Sequence, residues 1–118
     1  MQLGKAMNSK DVVRSLAAIA HESRLEAYRL LVQAGPAGLH AGRLAELLQL
    51  PPSSLTFHLK ELVHAGLLTS RQEGRFVFYS AEYGAMSSLL AYLTENCCGG
   101  NPCLPVRSDI CSGMDEVQ

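Results

Sequence analysis

The chain has 118 residues, 47% of them hydrophobic and 18% charged, which is enough apolar material for one folded domain and too little charge for a disordered chain. Ten Lys and Arg stand against eleven Asp and Glu, a formal net charge of −1, which excludes a uniformly basic nucleic-acid coat but not a local basic patch. No apolar run approaches the roughly 18 residues of a membrane helix, and the opening MQLGKAMNSKDVV lacks a signal-peptide stretch, so neither export nor membrane association is expected.

Residues 1–8 read as a loose tail. Ser9 is a good N-cap, and from Asp11 the apolar series Val12, Val13, Leu16, Ala17, Ile19 and Ala20 recurs at helical spacing. A second helical pattern covers about 22–34, with Leu25, Tyr28, Leu31 and Val32 on one side, and Gly35-Pro36 ends it. Residues 36–40 read as a short turn, and a third helix over 41–48 carries Leu44, Leu47 and Leu48.

Pro51-Pro52 must stop that helix, since proline lacks the amide donor and clashes with the preceding turn. Proline also suits the first turn of a new helix, so Pro52 opens the next one, about 52–65, with Leu55, Leu59 and Leu62 on one face and Gly66 at its end. Two short helices joined by a tight break outline a helix-turn-helix. The period then changes: 67–72 and 75–80 are strand-like runs around Glu73-Gly74, a β-hairpin. A last helix, about 82–96, presents Met86, Leu89, Leu90 and Leu93 before Gly99-Gly100. The expected fold is mainly α with a small β-hairpin, a winged helix-turn-helix over 9–96, followed by a Cys-rich tail over 97–118.

A helix entering the major groove needs short polar side chains near its N-terminus. Ser53, Ser54, Thr56, His58 and Lys60 supply them, on the face opposite Leu55, Leu59 and Leu62. Phe57 is placed either to touch a thymine methyl or to pack internally. Arg71 and Arg75 flank the hairpin turn, where they would meet phosphates or enter the minor groove. The plainer alternative is that the serines cap the helix, Lys60 is a solvated charge and the arginines solubilise an exposed hairpin. The surrounding helix-turn-helix and wing favour DNA contact.

All four cysteines, Cys97, Cys98, Cys103 and Cys111, fall in the last 22 residues. In a chain without export signals such clustering points to soft-metal or redox chemistry rather than a disulfide scaffold. Cys97, Cys98 and Cys103 are close enough to converge on one ion, with Gly99-Gly100 supplying chain freedom. Adjacent cysteines do not follow the CxxC spacing of structural zinc, and no histidine lies beyond His64, so a thiophilic ion taking three sulfurs fits better. Cys111 is a spare ligand, a redox residue or uninvolved. His21, His40, His58 and His64 form no HxxxH or HExxH pair and read as surface or packing residues; Tyr83 and Tyr92, on the last helix, read as packing rather than functional residues. No Cys/His/Asn constellation and no phosphate-cradling loop supports catalysis, so no enzyme is expected.

The stretch Leu50-Pro51-Pro52-Ser53-Ser54-Leu55-Thr56-Phe57-His58-Leu59-Lys60-Glu61-Leu62 resembles the recognition helix of the ArsR/SmtB family of metalloregulatory repressors, as does the upstream run Ser23-Arg24-Leu25-Glu26-Ala27-Tyr28-Arg29-Leu30-Leu31. The hairpin from Arg71 to Tyr79 is similar to the family's wing. The resemblance covers about residues 10–96. It implies a cytoplasmic homodimer whose first and last helices pair, with Tyr83 and Tyr92 in the dimer core, which holds double-stranded operator DNA and leaves it when metal binds. The family's usual cysteines on the first helix of the helix-turn-helix are replaced by Leu39-His40-Ala41-Gly42-Arg43-Leu44, and the Asp and His set of zinc sensors is missing from the last helix. Some arsenite-responsive members carry a C-terminal vicinal Cys pair with a third Cys nearby, which Cys97, Cys98 and Cys103 resemble. The resemblance therefore implies As(III) or Sb(III) as effector. A thiol redox sensor and a cadmium or lead sensor are the alternatives.

Overall fold

The structure is a computed structural model that describes residues 7–96 and Gly99. Cys97, Cys98, Cys103 and Cys111 lie outside the described residues. The elements run α1 (Ser9–Ile19), α2 (Glu22–Ala34), β1 (Leu39–His40), α3 (Ala41–Leu48), α4 (Pro52–His64), β2 (Leu68–Glu73), β3 (Phe76–Ala81) and α5 (Tyr83–Leu93).

Helix α1 starts one residue earlier than its apolar series suggests. Asn8, not Ser9, is the cap: its Oδ1 accepts from the Asp11 amide at 2.9 Å. Both residue types cap well, and the one three positions before a free amide wins. Helix α2 is capped by the His21 ring, whose Nδ1 accepts from the Ser23 amide. Its buried face is Ala27, Tyr28 and Leu31, while Leu25, expected on that side, is exposed.

Pro51 caps α4 with Pro52 in its first turn, as the missing proline amides allow. The seam Leu55, Leu59 and Leu62 is at most 1% exposed and packs in one core with Ala27, Leu31, Leu44, Leu67, Leu68 and Tyr79. Gly66 follows at φ 82°, the left-handed region glycine enters without penalty, and the Leu67 amide turns back to the Leu62 carbonyl at 3.0 Å. The helix therefore stops cleanly and delivers Leu67 and Leu68 into the core.

The hairpin is one residue out of the expected register, and the sheet has a third strand. Strand order is β1-β3-β2, all antiparallel, with Glu73 opposite Phe76 and Gly74-Arg75 as the loop. The expected turn at 36–40 contains β1, where Leu39 pairs with Tyr79 and His40 with Phe78. The last helix ends at Leu93 rather than 96, closed by Thr94, whose hydroxyl bonds the Leu90 carbonyl at 2.8 Å.

Two tyrosines near the α2–α5 contact are treated differently. The Tyr83 hydroxyl donates to the Val32 carbonyl at 3.0 Å. Tyr28 is 7% exposed, its hydroxyl meets no protein partner, and burial, then the neighbouring Tyr83 and Glu82, push its pKa up to about 12. Replacing Tyr28 by Phe should leave stability unchanged or slightly raised, whereas Tyr83→Phe should cost about 1 kcal/mol, as read by urea unfolding.

Candidate nucleic-acid interface

The helix-turn-helix geometry follows from three local devices. The His40 ring caps α3 by accepting from the Arg43 amide at 3.2 Å. Gln49, at φ 57°, ends α3, and the Leu50 amide bonds back to the Ala45 carbonyl. Pro51 then starts α4, its carbonyl accepting from the Leu55 amide at 3.1 Å. With the leucine seam buried, the opposite face of α4 is left open.

Ser53, Ser54, Phe57 and Lys60 are exposed on that face. Phe57 is 56% exposed, so of the two placements open to it the outward one is found. Thr56 and His58 are half-buried and do not stand opposite the leucines. At 100° per residue, His58 lies only about 40° from Leu62, four positions on, so the helix carries it to the edge of the seam.

There His58 meets α2. Its Nδ1 accepts from Arg24 Nε at 3.1 Å, and its ring lies 4.6 Å from that of His21. The Arg24 guanidinium also sits over the Phe57 ring at 5.5 Å. Burial, followed by the His21 and Arg24 charges, holds His58 below the ordinary histidine pKa. No sequence motif ties Arg24 or His21 to position 58; only the helix phase hints that His58 faces inward.

The wing places its two arginines in different situations. Arg71 Nε bonds Glu73 at 2.6 Å, its Nη2 donates to the Ala37 carbonyl at 2.8 Å, and its guanidinium lies 5.0 Å from the Phe78 ring centre. Arg71 thus ties the wing to the turn before β1. Arg75 is exposed in the hairpin loop, with neither ion pair nor hydrogen bond among the described residues. Beside the wing, His40 packs against Phe76 and Phe78 at 5.1 and 5.7 Å.

A second open surface is apolar. Helix α5 has no charged residue from Tyr83 to Leu93, a composition that belongs to a covered helix, yet only Leu89 of it is buried. Leu90, Tyr92 and Leu93 are exposed, and α1, which packs against α5, exposes Val13 and Leu16. Among the described residues no three His, Cys, Asp or Glu side chains converge as metal ligands, and no helix is long and apolar enough to cross a membrane.

Residues 19–71 match the helix-turn-helix domain family HTH_20. The chain is 32% identical over 94 residues to the transcriptional activator HlyU of Vibrio cholerae, spanning 80% of this chain and 84% of that protein. The solved structure of reduced HlyU from Vibrio cholerae N16961 superposes with a TM-score of 0.59 at 37% identity, over 73% of this chain and 90% of that one. An ArsR-like transcriptional regulator from Rhodococcus sp. RHA1 gives 0.65 at 26% identity, over 72% and 77%. A structure described as a possible transcriptional regulator for arsenical resistance gives 0.61 at 29%, over 68% and 80%.

Proposed function

Because the chain belongs to the ArsR family of winged helix-turn-helix transcriptional regulators, we propose that it is an operator-binding homodimeric repressor released from DNA when its C-terminal thiolates capture As(III) or Sb(III). The observation that carries the DNA half is the split character of α4: a fully buried leucine seam behind an open face of Ser53, Ser54, Phe57 and Lys60. In a major groove the hydroxyls reach base edges or phosphates, Phe57 meets a thymine methyl, and Lys60 neutralises backbone charge. Thr56 at the border of that face and Arg75 on the wing extend the contact; Arg71 supports the wing that presents Arg75.

The effector half is supported by the donor chemistry of the sequence. Cys97, Cys98 and Cys103 form an all-sulfur set, which suits a soft trivalent ion better than a hard or nitrogen-seeking one. Binding that favours the off-DNA form by about 1–3 kcal/mol weakens the complex 5- to 150-fold without unfolding the protein. Oxidation of the same thiols is the second reading, favoured by the vicinal pair and by the relative solved in its reduced form.

The experiment is fluorescence anisotropy of a labelled duplex, recovered by the reduced protein from a randomised pool, titrated with arsenite and separately with peroxide. Stoichiometric arsenite should release the duplex, and Cys97→Ser, Cys98→Ser and Cys103→Ser should each bind DNA yet resist release. A complex that survives saturating arsenite overturns the effector assignment; release by peroxide alone selects the redox reading.

A further inference from the structure

The start of α2 holds the DNA-facing side of α4 through one residue. Arg24 donates from Nε to His58 Nδ1 at 3.1 Å and lays its guanidinium over Phe57 at 5.5 Å, touching two consecutive residues of α4 from 33 and 34 positions upstream. We propose that Arg24 is a positioning residue for DNA reading: by binding unprotonated His58 and stacking on Phe57 it fixes the exposed face of α4, so operator affinity requires His58 to stay neutral. The inference rests on α4 being the recognition helix.

The chemistry is one-directional. Arginine has donors and no acceptor and does not lose its proton, so the bond exists only while His58 Nδ1 keeps its lone pair. Protonation would set an N–H against an N–H and a second cation against the guanidinium. The groups around His58 cannot offset this. From the α1–α2 connection comes His21, whose ring is 4.6 Å away and whose own Nδ1 is committed to capping α2. From α2 comes Arg24, which has no carboxylate within salt-bridge distance among the described residues. On α4 the charged neighbours in sequence are Lys60, on the open face, and Glu61, and Arg14 of α1, Glu61 and His64 line one depression with Arg24. The only carboxylate in this set, Glu61, makes no ion pair among the described residues and lines that depression with two arginines, Arg14 and Arg24.

A histidine that met DNA directly would behave in the opposite way, since phosphates favour the imidazolium and binding would strengthen in acid. The two roles therefore give pH profiles of opposite sign. Asn places its side-chain oxygen near the position of Nδ1 and cannot titrate, so His58→Asn keeps the acceptor and removes the proton dependence.

The test is anisotropy with the duplex recovered by the wild-type protein from a randomised pool, at constant ionic strength, between about pH 5 and 7.5, a window that extends well below the ordinary histidine pKa of about 6.5. The wild-type protein should lose about five- to tenfold in affinity over that range, while His58→Asn should match it within about twofold at the upper pH and show a flatter profile. Arg24→Gln should weaken binding about five- to tenfold at the upper pH, and by about twofold to threefold when His58 is already Ala, because only the Phe57 stacking is then left to lose. Circular dichroism of each variant separates a folding failure from a positioning effect. A His58→Asn profile identical to wild type, or a wild-type affinity that rises in acid, overturns the proposal. If Lys60→Ala and Ser54→Ala leave affinity and salt dependence unchanged, α4 is not the recognition helix and the proposal falls with that reading; if those variants weaken binding while the His58 and Arg24 variants do not, only the positioning role is lost.

Discussion

Placing glutamate at Val13 or Leu93 should convert the protein to a monomer and lower its affinity for a two-half-site duplex by about a hundredfold or more. Val13 is 64% and Leu93 54% exposed, so in a single chain neither substitution buries a charge or opens a cavity, and each module should stay folded. In the proposed dimer, paired through α1 and α5, the same carboxylate would face the uncharged surface of α5 and its own symmetry copy. On the proposed reading one module would present few cations to DNA, Lys60 on α4 and Arg75 on the wing, in a chain of net charge −1, so useful affinity would depend on two modules acting together. Sedimentation velocity and anisotropy on the same samples check both halves; a glutamate variant that stays dimeric places the subunit contact elsewhere.

Gly38→Ala should destabilise the domain by about 2–4 kcal/mol, enough to unfold a marginal chain. Gly38 has φ +70°, and a Cβ there would overlap the Tyr79 carbonyl oxygen of β3. Relief requires β1 to leave β3, which would remove the Leu39–Tyr79 and His40–Phe78 pairing and with it the His40 cap of α3. Gly35, three residues earlier at φ +84° and ψ −173°, has open space where a Cβ would go, so Gly35→Ala should cost only the backbone strain, about 1–3 kcal/mol, without loss of the β1–β3 pairing. Urea unfolding of the two variants side by side checks the difference; equal losses would show that the β1–β3 approach carries no particular weight.

Much of this architecture was legible from spacing alone. The leucine seam of α4, the Pro51-Pro52 break and the switch to alternating aromatics after Leu67 each reflect a period that burial imposes. Strand β1 was not legible because two residues cannot display a period, and its existence depends on Gly38 letting the chain approach β3. Helical spacing points Leu25 inward, as it does most leucines, but Ala27, a smaller residue, holds the buried position. On α4 the exposed polar residues are legible, but the polarity of His58 points it outward while its phase sets it beside Leu62, and the phase prevails. Arg24 carried no signal in sequence, since its partners lie more than thirty positions away and are joined to it only by the fold. Arg71 and Arg75 look equivalent as flanks of a turn, and only the folded wing separates the one that braces it from the one left open.

The most direct test of the DNA-reading dimer is hydroxyl-radical footprinting of the full chain on its selected duplex, in parallel with Lys60→Ala. Two protected segments centred about 10–11 base pairs apart, each weakened in parallel by Lys60→Ala, are predicted by two α4 helices entering successive major grooves on one face of the duplex. A single unpaired patch, or a footprint that Lys60→Ala leaves unchanged, would contradict it.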